Sequence, residues 1–158
     1  VGLAKAGAVF CGEERTIPEL LAYFESIGSG DAFRRMCVLD AIILNTDRHY
    51  GNFGVLFDTD TLEVRGMAPV FDHNRSLLPE LDNEQLADPA WHLRRRRPRL
   101  GQDFIRNAKG LLTDDIRRDL TELRDFTFQQ HPHILAEQER VDALCKIVQG
   151  RIHLILSE

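Results

Sequence analysis

Apolar positions recur at helical spacing in several parts of this chain, and the breaks between them are marked by capping and turn residues. Thr16-Ile17-Pro18-Glu19 reads as a capping box, with Leu20, Leu21 and Phe24 giving the helix behind it an apolar face. Gly28-Ser29-Gly30 stops that helix. The pattern then predicts a second helix over residues 31–44, capped by Asp31. Phe33, Met36 and Cys37 lie on one side of its early part, and Arg34 and Arg35 on the other. From Val38 onward it is apolar almost all round, as in a helix entering a core.

The period changes after residue 52. Phe53-Gly54-Val55-Leu56-Phe57 and Leu62-Glu63-Val64-Arg65 predict a hairpin about the turn Asp58-Thr59-Asp60-Thr61, with Gly66-Met67-Ala68-Pro69 ending its second strand. Residues 76–112, broken by Pro79, Pro89 and Pro98, predict short helices and loops, with Trp91 covering part of the core. Thr113-Asp114-Asp115 starts a helix bearing the stripe Ile116, Leu120 and Leu123. A last helix over residues 135–156 carries Val141, Leu144, Val148, Ile152 and Ile155. Residues 1–15 show no period and predict an irregular entry segment. The Gly2-Leu3-Ala4-Lys5-Ala6-Gly7 run lacks the ending and the preceding strand of a phosphate loop.

Composition bounds what this fold is for. At 158 residues, 43% apolar and 28% charged, the chain suits one globular domain with a real core. A formal charge of −5 argues against direct nucleic-acid binding by the surface as a whole. No apolar run approaches the roughly 20 residues of a membrane span. Cys11, Cys37 and Cys145 match neither a disulfide framework nor a zinc site, which predicts a reducing cytoplasm. The Arg94-Arg95-Arg96-Arg97 run with Arg99 could bind phosphate or an acidic partner, and a solvated face explains it equally well.

The chemistry concentrates in Asn45-Thr46-Asp47-Arg48-His49-Tyr50-Gly51-Asn52-Phe53, between the buried helix and the hairpin, and in Pro69-Val70-Phe71-Asp72 beyond it. Singly, such residues cap helices and satisfy turns. Together, an Asp, an Asn five positions later and a second Asp after a hairpin suit phosphoryl transfer. The first carboxylate can accept a hydroxyl proton, while one carboxamide and one carboxylate give Mg²⁺ oxygen ligands and leave positions open for phosphate. The hairpin is expected to fold back and bring Asp47, Asn52 and Asp72 within reach of one metal ion.

These two segments resemble the catalytic and metal-binding segments of HipA-like serine/threonine kinases. The Asp-Arg-His-x-x-Asn core is also similar to the catalytic loop of phosphoinositide kinases and related atypical kinases. The resemblance covers residues 31–80 and implies a mainly α fold with a small β-hairpin, the C-terminal lobe of a kinase. It implies that Asp47 is the catalytic Asp and that Asn52 and Asp72 bind Mg²⁺ and ATP. His49, within the catalytic loop, would fix the loop by hydrogen bonds. Phe71-Asp72-His73-Asn74 lacks the Phe-Gly that follows the metal-binding Asp of conventional protein kinases, and no nucleotide-covering lobe is visible before the buried helix. The expectation is therefore one lobe of a longer enzyme that phosphorylates a protein Ser or Thr, with the other lobe supplied in cis or trans. This chain alone is expected to be inactive. A lipid or small-molecule kinase, and a non-catalytic protein-binding module, are the alternatives.

Overall fold

A computed structural model describes residues 1–133 and 136–157. Among these residues three strands, β1 (Gly2–Lys5), β2 (Gly54–Phe57) and β3 (Val64–Met67), form one antiparallel sheet in that order. Eight helices of the described residues surround it: α1 (Ala6–Val9), α2 (Ile17–Ser26), α3 (Gly30–Ile43), α4 (Asn83–Ala87), α5 (Ala90–Arg95), α6 (Phe104–Gly110), α7 (Asp114–Glu122) and α8 (Gln138–Leu156). One continuous apolar cluster runs from Ala6 to Ile155, and α3 crosses its middle. Among the described residues no helix is long and apolar enough to cross a membrane.

The capping box of α2 is present as its sequence predicts. Thr16 N–H donates to the Glu19 carboxylate at 2.7 Å, and Glu19 N–H donates back to the Thr16 hydroxyl. The predicted start of α3 needs correction. Ser29, not Asp31, occupies the cap position, and Asp31 lies in the first turn, where it pairs with Arg35 at 2.7 Å. A carboxylate there complements the positive end of the helix without capping it. The Ser29 hydroxyl instead accepts the Met67 N–H at 2.9 Å, which ties β3 to the start of α3.

The hairpin is shifted from its predicted bounds. Leu62 has φ of 61° and its N–H bonds to the Asp58 carbonyl, so the turn runs on to Leu62 and β3 begins at Val64. Gly66, expected to end the strand, lies inside it with φ of 134°, a value only glycine adopts freely. The hairpin is also not alone. Residues 2–5, expected to be irregular, pair with β2 in the register Leu3 to Leu56 and Ala4 to Val55. Gly and Ala carry little strand preference, so the strand exists because β2 offers it a ladder.

Within 76–112 the short helices form with local caps, Asp82 for α4 and Asp103 for α6. Trp91 does not cover the core. It is 54% exposed, with the Arg95 guanidinium 4.5 Å from its ring centre. Leu123, expected in the α7 stripe, is the exposed C-cap residue, whereas Ile116 and Leu120 are buried. In α8, Val141, Val148, Ile152 and Ile155 are buried as predicted and Leu144 packs beside them. The expected start of that helix at Leu135 lies outside the described residues.

Two glycines test this packing in opposite directions. A Cβ on Gly54 would stand 2.1 Å from the Ala4 carbonyl oxygen, whereas one on Gly150, inside α8, meets nothing within 4 Å. Gly54→Ala should force β1 off β2 and cost about 1–3 kcal/mol in urea denaturation. Gly150→Ala should raise stability by about 0.5–1 kcal/mol. Equal effects of the two would refute the β1–β2 pairing. The cysteines give a second test. Cys11 is exposed, Cys37 and Cys145 are buried, and none forms a disulfide among the described residues. Burial pushes the Cys37 thiol well above its ordinary range, with the Asp40 carboxylate adding to the shift. Cys37 therefore stays protonated and unreactive through neutral pH. Native protein should expose only Cys11 to a thiol reagent at pH 8, and denatured protein all three.

Candidate functional site

The nine-residue stretch after α3 forms a tight turn whose centre is the side chain of Arg48, only 1% exposed. Helix α3 ends at Leu44, in the left-handed region with φ of 56°, and Asn45 N–H returns to the Asp40 carbonyl at 3.0 Å. This reversal carries the chain back along the helix, so Arg48 meets Asp40. The pair is bidentate: Nε to Oδ2 at 2.8 Å and Nη2 to Oδ1 at 2.9 Å. Asn45 Nδ2 donates to the same carboxylate at 2.9 Å, and Asn45 Oδ1 accepts the Asp47 N–H at 3.2 Å. A buried carboxylate thus fixes the backbone at Asp47 through one amide side chain.

The outer nitrogens of Arg48 anchor both motif segments. Nη1 donates to the carbonyls of Asn52, at 2.6 Å, and Phe71, at 2.7 Å. Nη2 lies 3.0 Å from His73 Nε2, and because a guanidinium only donates, that nitrogen accepts. Both neighbours of Asp72 are therefore held by the residue that holds Asn52. Arg48 thereby joins the two motif segments, a role that no local sequence signal marks.

Asp47 is partly buried, and its Oδ1 faces Arg99 Nη1 at 3.3 Å. His49 Nδ1 accepts the Gly51 N–H at 2.9 Å, and its Nε2 stands 3.9 Å from Asp47 Oδ2. His49 thus braces the turn, and a Cβ on Gly51 would lie 2.7 Å from its ring. Asn52 is buried and donates through Nδ2 to the Asp47 carbonyl at 3.0 Å, which leaves Oδ1 as an acceptor. Asp72 is exposed, has φ of 59°, and makes no hydrogen bond or ion pair among the described residues. Asp is one of the few residues that adopts such a φ at modest cost.

Asn52 Oδ1 and the Asp72 carboxylate are donors of the kind a hard divalent cation takes. An amide oxygen and an uncommitted carboxylate are oxygen ligands, and Mg²⁺ commonly takes only one or two from protein, with water and phosphate as the remainder. Among the described residues no three His, Cys, Asp or Glu side chains form a metal cluster. Arg99 is more than half exposed, and its pair with Asp47 is of the kind that contributes little to stability. It gives the 94–99 run one member at the site, which sequence alone could not distinguish from a solvated cation.

The buried pair makes a quantitative prediction. Arg48→Met leaves Asp40 charged and buried and should cost about 3–5 kcal/mol. Asp40→Leu with Arg48→Met should cost less than the sum of the two single changes, as measured by a urea double-mutant cycle. Additive costs would show that the pair does not couple.

Comparisons with known proteins bear on the fold. No protein-family model matches the chain. In sequence, 98 residues, 58% of the chain, are 26% identical to the large ribosomal subunit protein uL13 of Coprothermobacter proteolyticus, and the match spans 64% of that protein. In structure, 98% of the chain superposes on 70% of the Helicobacter pylori proinflammatory kinase CtkA, with a TM-score of 0.65 and 17% identity. The sequence match is partial and weak, and it assigns no family. The structural match takes in nearly every element described above, and this mostly helical chain with its three-stranded antiparallel sheet has a kinase-like fold.

Proposed function

We propose that this chain carries the catalytic loop and the metal-binding residues of a kinase that transfers the γ-phosphoryl group of ATP to a protein Ser or Thr hydroxyl, in the manner of HipA-like enzymes. The observation that carries this reading is the guanidinium of Arg48, which binds the Asn52 and Phe71 carbonyls through one nitrogen. That arrangement anchors the Asn52 amide and the segment bearing the Asp72 carboxylate to one buried point, as a shared metal site requires. The kinase-like fold of the chain agrees with it.

In this reading Asp47 orients the acceptor hydroxyl and takes up its proton as the oxygen attacks phosphorus. His49 and Asn45 hold the loop so that the carboxylate stays turned outward. Asn52 Oδ1 and the Asp72 carboxylate would hold Mg²⁺, which neutralises phosphate charge when bound with the nucleotide. Arg99, opposite Asp47, is placed to meet phosphate oxygens or to yield to an incoming substrate. Leu3 and Val64, exposed on the two outer strands, give a nucleotide-covering lobe apolar surface to bury. Such a lobe, from the same protein or another, is part of the proposal, because transfer depends on positioning and on excluding water.

The test is phosphoryl transfer from ATP by the full natural protein that contains this chain. Asp47→Asn keeps the size of the side chain but cannot take a proton, so transfer should fall by about 10²-fold or more while nucleotide binding and melting temperature hold. Asp72→Asn should instead weaken Mg²⁺-dependent nucleotide binding. Transfer within a few-fold of wild type in Asp47→Asn would make Asp47 a turn residue and remove the mechanism.

A further inference from the structure

A groove of about 1060 Å³ lies between α5, the start of α6 and the outer side of α8, and none of Asp47, Asn52 or Asp72 lines it. Leu86, Leu93, Ile105 and Leu154 supply apolar wall, and the volume is that of sites holding small organic molecules. At the α6 end sits Arg151, a cation only 7% exposed. Its Nε donates to the Ala41 carbonyl at 2.5 Å, and its guanidinium stands 5.6 Å from the Phe104 ring centre. Its Nη2 is buried without a hydrogen-bond partner, and Nη1 has none among the described residues. Burial lowers its pKa to about 10, with the more distant charge of Asp103 acting the other way, so Arg151 remains charged at neutral pH. Nη2 is thus a buried donor left unmet, and Nη1 is the nitrogen left open to an incoming acceptor.

The charges around the groove give an orientation. Arg94 and Lys146 also line it, and neither makes a side-chain hydrogen bond or ion pair among the described residues. The acids Glu139 and Asp142 lie toward the N-terminal end of α8. Asp142 is about 13 Å along the helix from Arg151, at ~1.5 Å per residue. Asp142 is engaged by Gln138 at 2.8 Å, and Asp103 caps α6 by accepting the Arg106 N–H at 2.9 Å. Arg151 shares the α6 end with Asp103, whose carboxylate is taken up by the helix cap, while Glu139 and Asp142 make the other end the one that repels a negative head.

We propose that this groove binds a small amphipathic carboxylate, an acyl or aryl acid, with its head on Arg151 and its apolar body along α8 toward Leu86. A buried cation beside Phe104 and Ile105 suits a single head group. This inference stands apart from the kinase reading, since it uses none of the same side chains.

Decanoate and decanol, titrated below micellar concentration into the purified protein by calorimetry, separate the head-group contribution from the apolar one. Decanoate should bind with one site per chain and about tenfold or more tighter than decanol, the value of a hydrogen-bonded charge. Arg151→Gln should bring decanoate down to the decanol level and leave decanol unchanged. Ala143→Phe, which fills the groove from α8, should remove both, and it decides the matter if Arg151→Gln does not fold. Equal binding of decanoate and decanol, no binding of either, or binding that survives Ala143→Phe would overturn the proposal. So would an acidic amphipathic peptide that binds while decanoate does not, since the groove would then serve a protein partner.

Discussion

The bidentate pair of Asp40 and Arg48 is the constraint on which the site rests. Both side chains are almost wholly buried, and desolvating them costs several kcal/mol per ion before their attraction is counted. Well-packed apolar residues would often give equal or better stability. What they would not give is direction. Asp40 presents two oxygens along α3, Arg48 matches them in one plane, and its remaining donor positions then point at the carbonyls of Asn52 and Phe71. A Lys at this position could reach the carboxylate, but it lacks the planar fork that serves both sides at once.

The backbone around this pair is strained in a way that agrees with it. Leu44, Leu77 and Leu78 all have positive φ, each at a cost of order 1–2 kcal/mol for a residue with a Cβ, and Asp72 shares that conformation at lower cost. Such conformations persist where surrounding structure over-determines them. Leu44 is buried, and Leu77 N–H bonds to the Ile43 carbonyl at 2.7 Å. Arg140 Nη1 donates to the Leu81 carbonyl at 2.7 Å. The segment from 71 to 81 is thus held at its start by Arg48 and at its end by α3 and α8. Asp72 lies in a stretch fixed at both ends, which agrees with the metal-binding role proposed for it.

Much of this was legible in the residues. The capping box at Thr16 and Glu19, the apolar stripe of α8, Ile116 and Leu120 of α7 and the run into α3 are local signals that the fold keeps. The motif segments and the hairpin between them were also legible, because turn chemistry at Asp58 is written in adjacent residues: its Oδ1 accepts the N–H groups of Asp60 and Thr61. What failed was what depends on a distant partner. Strand β1 is drawn into the sheet by β2, and Ser29 displaces Asp31 at the cap of α3 while its hydroxyl is taken by Met67 of β3. Trp91 finds Arg95 instead of the core because α5 buries none of its residues. One long-range signal was present and unused: Asp40 is the lone carboxylate in the apolar run from Val38 to Leu44, and a charge in that place requires a buried partner.

The two buried arginines answer to the same electrostatics with different outcomes. Arg48 has its donors distributed among a carboxylate, two carbonyls and a histidine nitrogen, so its charge is answered from within the chain. Arg151 answers a helix carbonyl with one nitrogen and leaves the other two without protein acceptors among the described residues. Both touch α3, Arg48 at Asp40 and Arg151 at Ala41, one residue apart on its last turns. The first closes a site by internal complementarity, whereas the second leaves a charge that the fold itself does not neutralise. A helix whose final turn supports both arginines gives the proposed catalytic loop and the groove a common rigid base.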